Sequence, residues 1–101
     1  MTYRFLAPAR VEFDAAVDWY DARRTGLGDD FADEVYATVQ RIVANPLAYS
    51  RVPRATRGRE IRNLKVSRFD YLVVYEVLPS EVLILSIRHA RRRVRAWRRR
   101  S

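Results

Sequence analysis

Apolar positions recur along this chain in several rhythms, and each rhythm predicts an element. Thr2 to Leu6 reads as a short strand. Pro8 suits a helix start, where its missing N–H has no partner to lose. Val11, Phe13, Ala15, Ala16, Val17, Trp19 and Tyr20 then form a helical apolar stripe through about Arg23. Thr25-Gly26-Leu27-Gly28 is a turn, and Asp29 or Asp30 is the predicted cap of a second helix. Phe31, Val35, Val39 and Ile42 repeat there at three- and four-residue spacing, and Asn45-Pro46 ends the run. The first half is thus a helical hairpin with acidic outer faces.

Residues 47–57 read as a loop. Three strands are predicted after it. Glu60 to Val66 alternates Ile61, Asn63 and Lys65 against Arg62, Leu64 and Val66. Phe69 to Leu78 is rich in β-branched and aromatic residues, and Val82 to Ile87 is apolar apart from Ser86, as a buried central strand would be. Pro79-Ser80-Glu81 is too short for anything but an antiparallel connection. Val94 and Trp97, three apart, predict a short helix from Arg91 to Arg99.

Charge divides the chain in two. Residues 1–50 hold eight acidic and five basic side chains, a net of −3, whereas residues 51–101 hold four acidic and fifteen basic, a net of +11. Eight of the thirteen residues from Arg88 to Arg100 are arginine. The basic half is therefore where a polyanion or an acidic protein would bind. All basic residues but Lys65 are arginine, the side chain that grips carboxylates and phosphates bidentately, although an arginine-biased codon usage would give the same count. A length of 101 residues predicts one domain. There is no cysteine and a single histidine, so neither a disulfide framework nor a transition-metal site is expected, and no cofactor is implied. No apolar run reaches membrane-span or signal-peptide length, so the expected compartment is the cytoplasm, with no membrane partner.

Several stretches together resemble the RelE/ParE superfamily of type II toxins. They are Trp19-Tyr20 with Gly26-Leu27-Gly28-Asp29-Asp30-Phe31; Ile42-Val43-Ala44-Asn45-Pro46 with Tyr49; Arg62 with Arg68-Phe69-Asp70-Tyr71-Leu72-Val73-Val74-Tyr75-Glu76-Val77; and Ile87-Arg88-His89-Ala90-Arg91-Arg92 with Trp97. Asp70 stands where ParE-like members have proline. The resemblance implies an α+β fold over residues 1–101. An N-terminal strand and helical hairpin would pack on a small, mainly antiparallel sheet, followed by a short basic C-terminal helix or tail. It also implies a growth-inhibiting toxin encoded with a labile antitoxin, of the kind that serves plasmid or stress maintenance. RelE-like members cut mRNA on the ribosome; ParE-like members are described as inhibitors of DNA gyrase.

The chemistry of the residues separates these branches. Metal-free RNA cleavage needs general acid–base groups and cations converging on one phosphate. RelE-like nucleases carry an arginine three residues before the strand tyrosine; here that position is Leu72. Where several of them carry a C-terminal tyrosine, this chain has Trp97, whose indole stacks but transfers no proton near neutrality. Both departures point to the ParE-like side, with no catalytic residue favoured. A variant nuclease site, if present, would use Lys65, Arg68, His89 and Arg91, with Glu60 on the same strand candidate as Lys65. The plainer roles are preferred: His89 closing the last strand through backbone hydrogen bonds, and Lys65 with Glu60 as an ion pair on a solvated face. Trp19, Tyr20, Phe31 and Tyr36 are expected in the core and hairpin interface, and Tyr71 and Tyr75 on one side of their strand.

The target- or antitoxin-binding surface expected from the basic half comprises Arg62, Arg68, Arg88, Arg91, Arg92, Arg95, Trp97 and Arg98. Its partners would be an acidic, partly disordered cognate antitoxin and DNA gyrase, with the ribosome and mRNA as the alternative. A non-catalytic nucleic-acid-binding module, or an inactive toxin, is the second alternative.

Overall fold

The computed structural model describes residues 1–53, 55 and 57–91. In chain order the elements are β1 (Thr2–Phe5), α1 (Ala7–Arg23), α2 (Leu27–Ala44), β2 (Ile61–Lys65), β3 (Tyr71–Val77) and β4 (Glu81–His89). The stretch 92–99, where the C-terminal helix is expected, lies outside the described residues. The strands form one sheet in the order β1-β4-β3-β2. Both chain-adjacent pairs, β2–β3 and β3–β4, are antiparallel; β1 joins β4 in parallel, so the sheet is mixed. Both helices cover one of its faces, giving an α+β fold.

Burial on both faces explains the apolar run of the last strand, broken only at Ser86 between Val82 and Ile87. Val82, Ile84 and Ile87 turn toward the helices and join Phe13, Phe31, Val35, Val73 and Tyr75. Leu83 and Leu85 turn the other way and meet Ile61 and Val74 under Leu6, Val52 and Leu78. The loop after α2 supplies part of that second cover. The Val52 N–H donates to the Ile61 carbonyl and the Asn63 N–H to the Ser50 carbonyl, each at 3.0 Å. The Arg59 guanidinium grips Glu76 through two hydrogen bonds of 3.1 and 2.7 Å, an ion pair largely shielded from solvent. Losing one partner of such a pair would leave a buried charge uncompensated.

The hairpin forms as its periodicity predicts, with Phe31, Val35, Val39 and Ile42 fully buried. Its start differs. α2 begins at Leu27, before the aspartates expected to cap it, and its N-cap is Gly26 at φ 90°. The cap comes instead from the preceding helix. Asp21 Oδ1 accepts the Gly26 and Gly28 N–H groups at 2.9 and 3.2 Å, while Asp29 and Asp30 sit in the first turn, where the helix dipole favours them. The two helices meet so closely at Gly28 that a Cβ there would lie 2.5 Å from the Val17 carbonyl oxygen.

Trp19 is not in the core: it is 51% exposed, while its neighbour Tyr20 points inward against Phe31 and Phe69. Tyr71 and Tyr75 do share the helix-covered face. In β4 the register slips by one residue, so that Tyr75 pairs with Ile84 but Val74 with Ser86. Such a bulge interrupts the ladder. Glu12 of α1 meets it: its Oε1 accepts the Ser86 hydroxyl at 3.0 Å and the Ile87 N–H at 3.1 Å.

Two substitutions test these contacts by urea unfolding. Gly28→Ala forces a methyl into the Val17 carbonyl and should lower stability by about 1–3 kcal/mol, read as a lower midpoint at unchanged slope. Glu12→Ala strands the Ile87 N–H and should cost about 1–3 kcal/mol, with fastest gain of amide exchange at residues 86–88.

Candidate functional site

The cationic residues converge at one end of the sheet, where the β2–β3 turn meets the end of β4. The turn is held by its own charges. Arg68 occupies its left-handed position at φ 71°. The Lys65 ammonium donates to the Val66 and Phe69 carbonyls at 3.2 and 3.0 Å. Arg68 reaches across to Glu34 of α2 at 3.3 Å. Asp70 ties the turn to the end of β4: its carbonyl accepts the Ala90 N–H at 2.8 Å, and its carboxylate faces Arg91 at 3.7 Å.

His89 is part of the same closure. Its Nδ1 accepts the Arg91 backbone N–H at 3.2 Å, and its ring packs edge-on against Tyr71 at 5.4 Å. Lys65 does not pair with Glu60; Glu60 faces Arg62 at 2.7 Å and Arg51 at 3.3 Å. The two lie on one strand segment, five residues apart, and Lys65 has carbonyl acceptors nearer at hand.

Strand register decides what these groups can do together. Lys65, Leu72 and Arg88 lie opposite one another across β2, β3 and β4 and so form one row on the face away from the helices. Tyr71 and His89 form the next row, on the helix-covered face. Lys65 and His89 are therefore on opposite sides of the sheet, and Leu72 interrupts the cationic row with an apolar side chain. A phosphate placed between Lys65 and Arg88 would meet no acid or base from His89.

Arg62 stands apart from this end. It is paired across the strands with Tyr75, and its guanidinium donates to the Tyr49 carbonyl. Beside it the Tyr75 hydroxyl donates to the Pro46 carbonyl at 2.7 Å, which fastens the end of α2 to the sheet. Burial pushes the Tyr75 phenol up to about 12, against the downward pull of the Arg62 charge and with help from Tyr49 and Glu60. Of the expected binding surface, Arg68, Arg88 and Arg91 share the sheet end; Arg92, Arg95, Trp97 and Arg98 lie outside the described residues.

A cleft of about 390 Å³ opens on the helix side of the same end, between α1 and β4. Glu12, Ala15 and Trp19 line it from the helix, and Tyr71, Ile87 and His89 from the sheet. Tyr20 borders it with a phenol raised by burial and by the neighbouring Tyr71 and Asp70. The sequence reading missed this cleft, although α1 carries more apolar residues than one buried face can use. Among the described residues no group of three or more His, Cys, Asp or Glu could hold a metal ion, and no helix is long and apolar enough to cross a membrane.

Tyr75 generates a prediction with a definite sign. Above pH ~10 an unfolded tyrosine releases its proton, while folded Tyr75 keeps its own until about 12. Folding then takes up a proton, so stability falls as pH climbs through this window. In Tyr75→Phe that part of the fall should be missing. Urea midpoints of the two chains at about pH 9 and 11 check it, since the mutant's deficit should shrink on the alkaline side.

Comparison with known proteins agrees with this architecture. The model of the ParE toxin of the type II toxin–antitoxin system parDE matches residues 3–94. A solved structure described as a chromosomal ParDE toxin–antitoxin system from P. aeruginosa superposes with a TM-score of 0.74 at 19% identity, covering 88% of this chain and 95% of that one. No curated relative matches the sequence. With nearly its whole length matched by the family model, the chain belongs to the ParE toxin family of type II toxin–antitoxin systems.

Proposed function

We propose that this chain arrests growth by binding DNA gyrase, without catalytic chemistry of its own, and that an acidic cognate antitoxin neutralises it. The observation that carries this reading is the row Lys65–Leu72–Arg88. An apolar residue stands in its middle, the ammonium at one end is engaged by two backbone carbonyls, and the only histidine is on the other face. General acid–base catalysis on RNA needs those groups around one phosphate. Binding needs only a directed surface, and Arg68, Arg88 and Arg91 at one sheet end form one. The net charge of +8 supports an acidic partner, because complementary potentials speed encounter and select among partners.

A supercoiling assay with antitoxin-free protein tests the reading. Lost supercoiling with trapped DNA breaks, reversed by antitoxin, is the expected result. His89→Ala should change inhibition and growth arrest by less than about threefold. A nuclease relying on His89 would lose about 10²–10⁴ in rate. Unaffected gyrase in the face of growth arrest would transfer the activity to mRNA on the ribosome.

A further inference from the structure

The β2–β3 turn puts an arginine where the backbone least favours one. Arg68, at φ 71°, is the only non-glycine residue with positive φ among the described residues. An L side chain at such an angle crowds its own backbone, and glycine or asparagine usually takes the place. Strain held at a turn tip points to function when the surroundings over-determine it. Here they do. The Lys65 ammonium holds the Val66 and Phe69 carbonyls on either side of the tip, at 3.2 and 3.0 Å. The Val66 N–H donates to the Tyr71 carbonyl at 2.9 Å. The turn is thus closed by contacts other than those of Arg68, whose side chain is displayed from it, 61% exposed.

At the same sheet end the Arg91 side chain is 83% exposed. Each of the two guanidiniums has a carboxylate within reach, Glu34 at 3.3 Å for Arg68 and Asp70 at 3.7 Å for Arg91. Exposed pairs of this kind are weak and give way to a stronger anion. From residue 92 on, the sequence adds six more arginines and no acidic residue. Among the described residues no large exposed apolar side chain belongs to the β2–β3 turn or to the end of β4; Met1, Val11, Trp19 and Leu47 belong to the N-terminus, α1 and the loop after α2. A protein partner is gripped around an aromatic or aliphatic anchor, and a single nucleic-acid strand by stacking its bases on exposed rings. Phosphates need only cations, and a duplex carries them most densely. We infer that the Arg68 turn and Arg91 grip the phosphate backbone of duplex DNA, with Glu34 and Asp70 as the carboxylates that a phosphate displaces. That this DNA is the segment held by gyrase rests on the function proposed above; the phosphate contact is read from this surface.

The test uses the full chain, freed of antitoxin, and a fluorescein-labelled DNA duplex of about 20 base pairs with no chosen sequence, read by anisotropy without gyrase. Affinity should fall steeply as potassium chloride rises from about 0.05 to 0.2 M. Arg68→Gly should weaken binding about three- to tenfold and lower the log–log salt slope by about one. Its urea midpoint should not fall, because glycine relieves the left-handed position. Arg91→Gln should weaken binding by a similar factor, and it serves alone if Arg68→Gly fails to fold. Asp70→Asn should act with the opposite sign and tighten binding about threefold, by removing the phosphate's competitor. Unchanged affinity in all three variants would leave any binding to the other arginines and overturn the inference. A single-stranded RNA of equal length that binds as tightly as the duplex would also overturn it. So would poly-glutamate that displaces the duplex as well as unlabelled DNA does, a result that assigns the surface to an acidic protein. A toxin that binds no duplex yet inhibits gyrase would overturn this inference and leave the proposed target standing. Duplex binding altered by these variants, with gyrase unaffected, would do the reverse.

Discussion

One carboxylate oxygen joins the helical layer to the irregular centre of the sheet. The slip in β4 is what lets Ile84 and Ile87 both face the helices with Leu85 turned the other way. A slip of this kind breaks the ladder, and a backbone N–H left unanswered in the interior costs as much as a lost hydrogen bond. Oε1 of Glu12 answers the N–H of Ile87 and the hydroxyl of Ser86 together. The same contact ties α1 to β4 beside the cleft that Glu12 helps to line. Position of the first helix, phase of the last strand and shape of the open end are thus tied to one side chain.

Much of the chain's abundant positive charge serves architecture. Lys65 satisfies two carbonyls of a tight turn, Arg68 reaches α2, Arg59 clamps the loop over the far face, and Arg62 holds the loop after α2 at the Tyr49 carbonyl. Exposed pairs such as Arg68 with Glu34 contribute little energy, but they define where the turn sits. The largely buried Arg59–Glu76 pair carries more, because each partner would be left stranded without the other. A cation already holding backbone carbonyls is poorly placed to neutralise a developing phosphorane. The same contacts therefore stabilise the fold at this end of the sheet.

The hairpin shows how tightly packed helices can still leave a surface open. Gly28 and the Asp21 cap draw α2 against α1 along one line, and the phenyl rings of Phe13 and Phe31 fill the layer beneath. That closeness uses one side of α1 and turns the other outward, where small side chains and Trp19 remain in contact with water.

The sequence by itself determined the elements and their order. Strict three- and four-residue spacing in α2, the mostly apolar run of β4 and the Pro79–Glu81 connection each reflect local constraints that survive any context, and they agree in outline with the observed sheet and hairpin. The family, too, was legible, since its motifs are local strings. What only the tertiary structure decided was every question of which side a residue faces. Asp29 and Asp30 were reasonable caps on local grounds, but Asp21, still inside the preceding helix and five residues before Gly26, takes the role because the hairpin folds back over it. Trp19 had the spacing of a core residue, yet α1 has room for only one buried face. Lys65 and His89 were plausible site partners until strand register put them on opposite sides of the sheet. A side-chain period of two means that one register position, or one bulged residue, reverses an assignment, and register is set by long-range pairing that no local string contains.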